Sequence, residues 1–228
     1  MLTLYTAIGS LRFVNNGTGN SVPIVINSHR EHGLSEHELL LWSCLAFQIL
    51  QIHELESVYQ TRLQGKGMSE GMGFSHYLNR LILRGLVAKG CGVSGVDSLY
   101  GLLGKLHIIP VRNSFRVRLF TCIRLLAEGK ITCRECGRYL KKARNTPIEN
   151  MVLELAEKVS LTTAELVTCV DRGRFPQKEK DVMSQLYEGS EESYETLADQ
   201  AQFCHTQYPI LQAVGNLYLN KQILFQCF

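Results

Sequence analysis

No stretch of this sequence approaches the roughly 18 consecutive apolar residues that a membrane-spanning helix needs. Its first ten residues, MLTLYTAIGS, have neither the basic start nor the small-residue cleavage pattern of a secretion signal. Both absences lead to the expectation of a cytoplasmic protein with no membrane partner. Low-complexity tracts are missing as well, so composition excludes no segment from a packed core. The glycines of NNGTGN and GKGMSEGMG fit neither phosphate-cradling pattern, G-x-x-x-x-G-K-[ST] nor G-x-G-x-x-G followed by a helix, which leaves nucleotide binding without support. No Ser/His/Asp grouping or carboxylate pair stands out, and the expectation is a protein that is not an enzyme and carries no cofactor. His29, His32, His37, His53, His76, His107 and His205 form no metal-ligand spacing. His29 and His32, with Glu31 and Glu36, read as a solvated polar loop.

Cysteine is present, but not in a framework. The eight cysteines lie mostly within apolar helical patterns of a chain too large to need disulfide staples, so reduced, buried thiols are expected. Cys133 and Cys136, followed by Gly137, have the spacing of half a zinc site. Structural zinc takes four ligands, and no second C-x-x-C or H-x-x-x-H completes the set; Cys91, Cys122 or the Cys204-His205 pair would have to arrive from a distance. A thiol switch is the alternative, because Arg134, Arg138 and Lys141 would raise the thiolate fraction. Two ordinary helical cysteines are the third reading, and no metal is assigned.

With 228 residues, 45% of them apolar, the chain has enough material for one large domain or two small ones, each with a core. Its net charge of +3 conceals a segregation: ten lysines and arginines face two acids within residues 112–144, whereas residues 145–200 hold twelve acids and five bases. A basic segment beside an acidic one makes either a polyanion-binding surface or two elements that pair with each other.

The first 34 residues read as β. LTLYTAIGSLRFVN and SVPIVIN are rich in β-branched and aromatic residues, and NNGTGN supplies turn chemistry, so a hairpin is predicted that packs on the first helix, on the strand at 86–89 or on a second copy of the chain. Ser35 with Glu38 makes a capping box for a nearly all-apolar helix, LLLWSCLAFQIL. HELESVYQTRLQ and FSHYLNRLILRG are further helices separated by a Gly-rich turn, and Leu86–Lys89 is a short strand after Gly85. Beyond it come a loop at 91–98, a short helix capped by Asp97 or Ser98, a strand at 107–111 and two basic helices. Pro147 suggests a break, which gives domains 1–146 and 147–228. The second opens with an amphipathic helix and a Thr162/Glu165 capping box, and ends in helices and a strand, QILFQCF.

From Ser35 to Gly90 the chain resembles the winged helix-turn-helix superfamily of bacterial transcription regulators. HELESVYQ stands as the first helix of the motif, FSHYLNRLILRG as the recognition helix, and LNRLILRGLVAKG as the leucine-spaced helix, glycine and strand that follow. The resemblance implies an α+β fold, mainly helical with small β elements: a winged helix-turn-helix unit with an N-terminal hairpin, joined to a helical C-terminal domain. It also implies a cytoplasmic, dimeric class of regulator whose recognition helix enters the major groove of double-stranded DNA. On that helix Tyr77, Leu78, Leu81 and Ile82 form the inward stripe, leaving Ser75, His76, Asn79, Arg80 and Arg84 for bases or phosphates. Arg116, Arg118, Arg138, Lys141 and Lys142 of the basic helices are added as phosphate contacts.

Two features depart from the superfamily pattern. Ile82 and Leu83 stand where charge is usual, and the would-be wing, GCGVSGVDSLYGLLG, holds Asp97 and no cation. They keep open a protein-interaction module without DNA binding, and the cysteine pair keeps open a redox or metal switch. An internal echo also links the halves: ENMVLELAEKVSLTTAELVTCV follows ELLLWSCLAFQILQIHELESVY, and VGNLYLNKQILFQ follows LNRLILRGLVAKG with Lys221 in place of the glycine. This is either a second winged helix with a long insertion or a chance similarity of amphipathic helices.

Overall fold

Gly9, at φ +90, breaks the first apolar stretch in two, and the pieces enter different sheets. A side chain there would meet the Ile26 carbonyl oxygen at 2.6 Å, so glycine alone makes this corner. The computed structural model describes residues 1–15, 21–69, 71–111, 144–187 and 193–227. Strand β1 (Leu2–Ala7) runs antiparallel between β5 (Leu50–Gln51) and β6 (Val87–Gly92). Strands β2 (Ser10–Asn15) and β3 (Ser21–Asn27) form the expected hairpin, and β4 (Arg30–Gly33) extends it into a second three-stranded sheet. The expectation of one long strand over residues 2–15 is therefore corrected, as is the polar loop around His29 and His32. Ser28 and His29 carry φ values of 49 and 63, a two-residue turn whose hand matches strand twist, and His32 sits in β4.

Helices α2 (Ile52–Gly65) and α3 (Phe74–Leu83) follow the predicted periodicity, whereas α1 (Glu36–Leu45) stops short of the end of the predicted LLLWSCLAFQIL helix: Ala46 is extended, Phe47 takes φ 58, and Leu50–Gln51 becomes strand β5. Next comes α4 (Gly95–Leu103), whose cap is Ser94 rather than Asp97 or Ser98: the Ser94 hydroxyl accepts from the Asp97 N–H at 3.1 Å and the Asp97 carboxylate accepts in return from the Ser94 N–H. The would-be wing is thus the end of β6 followed by a helix. After β7 (His107–Pro110) come α5 (Pro147–Lys158), α6 (Thr163–Arg172), α7 (Glu179–Leu186), α8 (Tyr194–Ala201), α9 (Gln207–Leu219) and β8 (Ile223–Gln226). The architecture is α+β, helices with small antiparallel sheets, and no helix among the described residues is long and apolar enough to cross a membrane.

Two copies of one unit make up most of this architecture. The first runs β1, α1, β5, α2, α3, β6; the second runs β7, α5, a single bridge at Thr162, α6, α9, β8. Their registers correspond residue by residue. Leu4 pairs with Gln51 and Gly90, and His107 pairs with Thr162 and Gln226; Ala7 pairs with Val87, and Pro110 with Ile223. Both α1 and α5 open on a capping box, Ser35/Glu38 and Thr146/Glu149, and so do α2 and α6, Gln51/Glu54 and Thr162/Glu165. Both α3 and α9 end alike: Leu86 N–H donates to the Leu81 carbonyl and Gly85 N–H to Ile82, while Gln222 N–H donates to Leu217 and Lys221 N–H to Tyr218. Gly85 has φ 66 there and Lys221 φ 60, so the lysine adopts a left-handed conformation that costs about 1 kcal/mol relative to glycine.

The apolar side chains collect in two clusters. One holds Tyr5, Leu41, Leu45, Leu55, Leu81 and Leu86; the other holds Tyr100, Leu103, Ile108, Val152, Leu166, Val214 and Phe225. Each fully buried leucine, isoleucine or valine contributes roughly 1.5–3 kcal/mol, so this burial is the main force behind both units. The expected boundary at 146/147 would part β7 from β8, its hydrogen-bonded partner, whereas the clusters, Ile8 of the second aside, divide between Val87 and Tyr100. Tyr218 of α9 ties the units together. Its buried hydroxyl accepts from the Phe47 N–H at 3.0 Å and the Thr6 hydroxyl at 2.9 Å, and donates to the Leu45 carbonyl at 3.2 Å.

Candidate nucleic-acid interface

The inner face of α3 is fixed before its outer face can do anything. Phe74, Tyr77, Leu78 and Leu81 are buried against α1 and α2. The Tyr77 ring stacks on His37 of α1, with centroids 4.8 Å apart, and the His37 ring lies 2.9 Å from the Tyr59 hydroxyl of α2. Aromatic stacking and hydrogen bonding therefore set the angle between the three helices. Gly73, at φ 88, turns the chain into α3 where a residue with a side chain would be strained.

This packing turns Ser75, His76 and Asn79 outward, and all three are exposed. Ile82, expected inward, is half-buried against the first cluster; Leu83 is 86% exposed. Arg80 and Arg84 differ from each other in a way the sequence did not reveal. Both meet Glu38, whose side chain is 2% exposed and whose Oε2 closes the α1 capping box with the Ser35 N–H. Arg80 reaches Glu38 through Nε at 3.3 Å with half its side chain exposed. Arg84 uses Nη1 on Glu38 at 3.2 Å and Nη2 on the Gly33 carbonyl at 2.6 Å, which engages both ends of its fork. Arg84 is a brace between α3, α1 and β4, with 27% of its side chain exposed.

The electrostatics follow from that geometry. Burial by itself would raise the Glu38 carboxyl, but the Ser35 N–H and hydroxyl and the charges of Arg84 and Arg80 outweigh it and hold it below the ordinary glutamate value. His32 is pushed below its ordinary value by burial and by the charges of Arg84 and Arg30. Glu38 is the neighbour of these arginines that sequence reasoning missed. The Ser35/Glu38 box was visible, but its second partner, a helix away, was not.

The second unit repeats this arrangement without its charge. Glu149 closes the α5 box and accepts from Asn216 Nδ2 of α9 at 3.0 Å, at the position corresponding to Arg80. The exposed residues of α9 include Tyr208, Gln212, Asn216 and Leu219, none of them charged. Arg116, Arg118, Arg138, Lys141, Lys142, Cys133 and Cys136 lie outside the described residues. Five other cysteines, Cys44, Cys91, Cys169, Cys204 and Cys227, are free thiols.

The chain matches no protein-family model, no curated protein and no solved structure.

Proposed function

We propose that this chain is a cytoplasmic DNA-binding regulator of the winged helix-turn-helix kind that reads duplex DNA with α3. In this reading both repeats are winged-helix units, and each takes the middle strand of its sheet from the N-terminal side instead of from a wing. The reading is carried by one observation: the outer face of α3 is exposed and polar, with Ser75, His76 and Asn79 beside an arginine anchored through Nε. A helix of this size enters the major groove, where asparagine reads adenine and the paired terminal nitrogens of arginine read guanine. Asn79 and Arg80 carry sequence preference; Ser75 and His76 lie on the first turn that meets base edges. Arg84 holds Arg80's surroundings in place. The ten basic residues of 112–144 supply the phosphate attraction. The uncharged α9 face gives the second repeat to association, so that a homodimer presents two α3 helices to half-sites about one helical turn apart.

A salt titration of binding to duplexes of mixed sequence tests the reading. Affinity should fall steeply with salt as counterions are released, and weak binding with no slope would sink it. Asn79→Ala and Arg80→Ala should each relax sequence preference by roughly 1–3 kcal/mol, while Lys141→Ala and Lys142→Ala weaken all sequences alike. Leu83, exposed at the end of the same face, favours a second reading as a protein-docking helix. Capture of a single protein that survives nuclease digestion and is lost in Leu83→Asp would decide for it.

A further inference from the structure

The second repeat differs from the first by an insertion between α6 and α9, which carries α7 and α8. This insertion changes the surroundings of one carboxylate. In the first repeat the box glutamate of α2, Glu54, is exposed and accepts from the Gln51 N–H at 2.8 Å. Its counterpart Glu165 is only 7% exposed. Oε2 of Glu165 accepts from the Thr162 N–H at 2.7 Å and the Thr162 hydroxyl at 3.0 Å, and Oε1 accepts from the Tyr187 hydroxyl at 2.7 Å. These donors are all neutral, and among the described residues no lysine or arginine forms an ion pair with it.

Beside it lies a cleft of about 360 Å³ lined by Lys105, His107, Thr162, Glu165, Tyr194 and Cys227. That volume is at the small end of the range for ligand sites. Leu4 holds the place of His107 in the first repeat, so an apolar position has become a polar lining. Burial lowers the His107 pKa against the opposing pull of Glu165, which leaves the imidazole neutral near pH 7. Burial also raises the Tyr194 phenol, so it stays protonated. Lys105 is exposed at the edge of the cleft and brings a cation there.

We propose that this cleft binds a small zwitterionic amine, a free amino acid, with its ammonium group on Glu165 and its carboxylate at Lys105. A buried carboxylate that receives only neutral donors gains most from a ligand cation, which offsets the hydration that folding removed. The lysine at the rim then selects for an acid on the same ligand. This assignment stands independently of DNA binding.

The full chain is screened by thermal shift against the twenty standard amino acids, with n-butylamine and butyrate as the separated halves. At least one amino acid should raise the melting temperature in a saturable way, n-butylamine should act more weakly, and butyrate should not act. Glu165→Gln keeps the capping box, because glutamine serves at that position. It should weaken both the amino acid and n-butylamine by about tenfold or more. Lys105→Met, at an exposed site, should weaken the amino acid by several-fold and leave n-butylamine unchanged. The proposal is overturned if no amino acid binds, if butyrate binds better than n-butylamine, or if Glu165→Gln leaves amino-acid affinity as it was.

Discussion

Glu38 and Glu149 occupy the same place in the two repeats, and replacing each by glutamine separates what charge contributes there from what capping contributes. Glutamine retains an oxygen for the Ser35 or Thr146 N–H, so both boxes survive. At residue 38, however, the substitution removes the anion that meets Arg80 at 3.3 Å and Arg84 at 3.2 Å. Hydrogen bonds to charged groups contribute roughly 1.5–3 kcal/mol each in favourable settings. Arg80 is half exposed and Arg84 27% exposed, so water recovers part of that loss. The expected cost of Glu38→Gln is therefore about 2 kcal/mol. At residue 149 the partner is the neutral Asn216 amide, which can turn over so that its own oxygen accepts from the glutamine Nε2 while the glutamine oxygen keeps the box, and the cost should stay below about 1 kcal/mol.

Trp42, the single tryptophan, is buried one turn from Glu38 on α1, so its fluorescence follows unfolding of the first repeat. With a urea dependence of about 2–3 kcal/mol per molar, Glu38→Gln should lower the midpoint by nearly 1 M with the slope unchanged. The folded carboxyl is held below its ordinary value of 4.5, so its contribution is complete above that pH and disappears as pH falls through the folded value. Wild type and Glu38→Gln should consequently converge in acid. Equal costs for the two substitutions, or a Glu38→Gln penalty that persists undiminished in acid, would refute the account.

Two further substitutions test the joins between elements. Tyr218→Phe removes the acceptor of the Phe47 N–H and should cost about 2 kcal/mol, seen both in Trp42 fluorescence and in helical circular dichroism because the hydroxyl links the two repeats. Gly90→Ala places a methyl group against the Leu102 backbone, so α4 must move off β6; a loss of about 3 kcal/mol is expected by thermal unfolding. Gly95→Ala is the control, since nothing lies within 4 Å of its added methyl, and it should change stability by no more than about 0.5 kcal/mol.

What was legible in the sequence was local. Capping boxes are i, i+3 relations, helical stripes repeat every three or four residues, and Gly85 marks a helix end, so α1, α2, α3, α5, α6 and α9 follow from residues close together in the chain. The echo between the halves belongs here too: the aligned glutamates Glu38 and Glu149, and the aligned helix ends at Gly85 and Lys221, occupy matching places in the structure. Ser75, His76 and Asn79 were assigned outward from the same periodicity, and they are exposed.

Tertiary structure alone decided the rest, because the deciding contacts join residues far apart. Strand β1 left its hairpin for β5 and β6 since sheet pairing is a bargain among distant strands, made possible by the corner at Gly9. The short helix expected after β6 is α4, but it starts earlier, and its cap is Ser94, one turn before Asp97 and Ser98. Arg80 and Arg84 read alike on a helical wheel. They came apart only when folding brought Glu38 and the Gly33 carbonyl to them, so that one arginine pairs through Nε with half its side chain exposed and the other engages both terminal nitrogens within the fold.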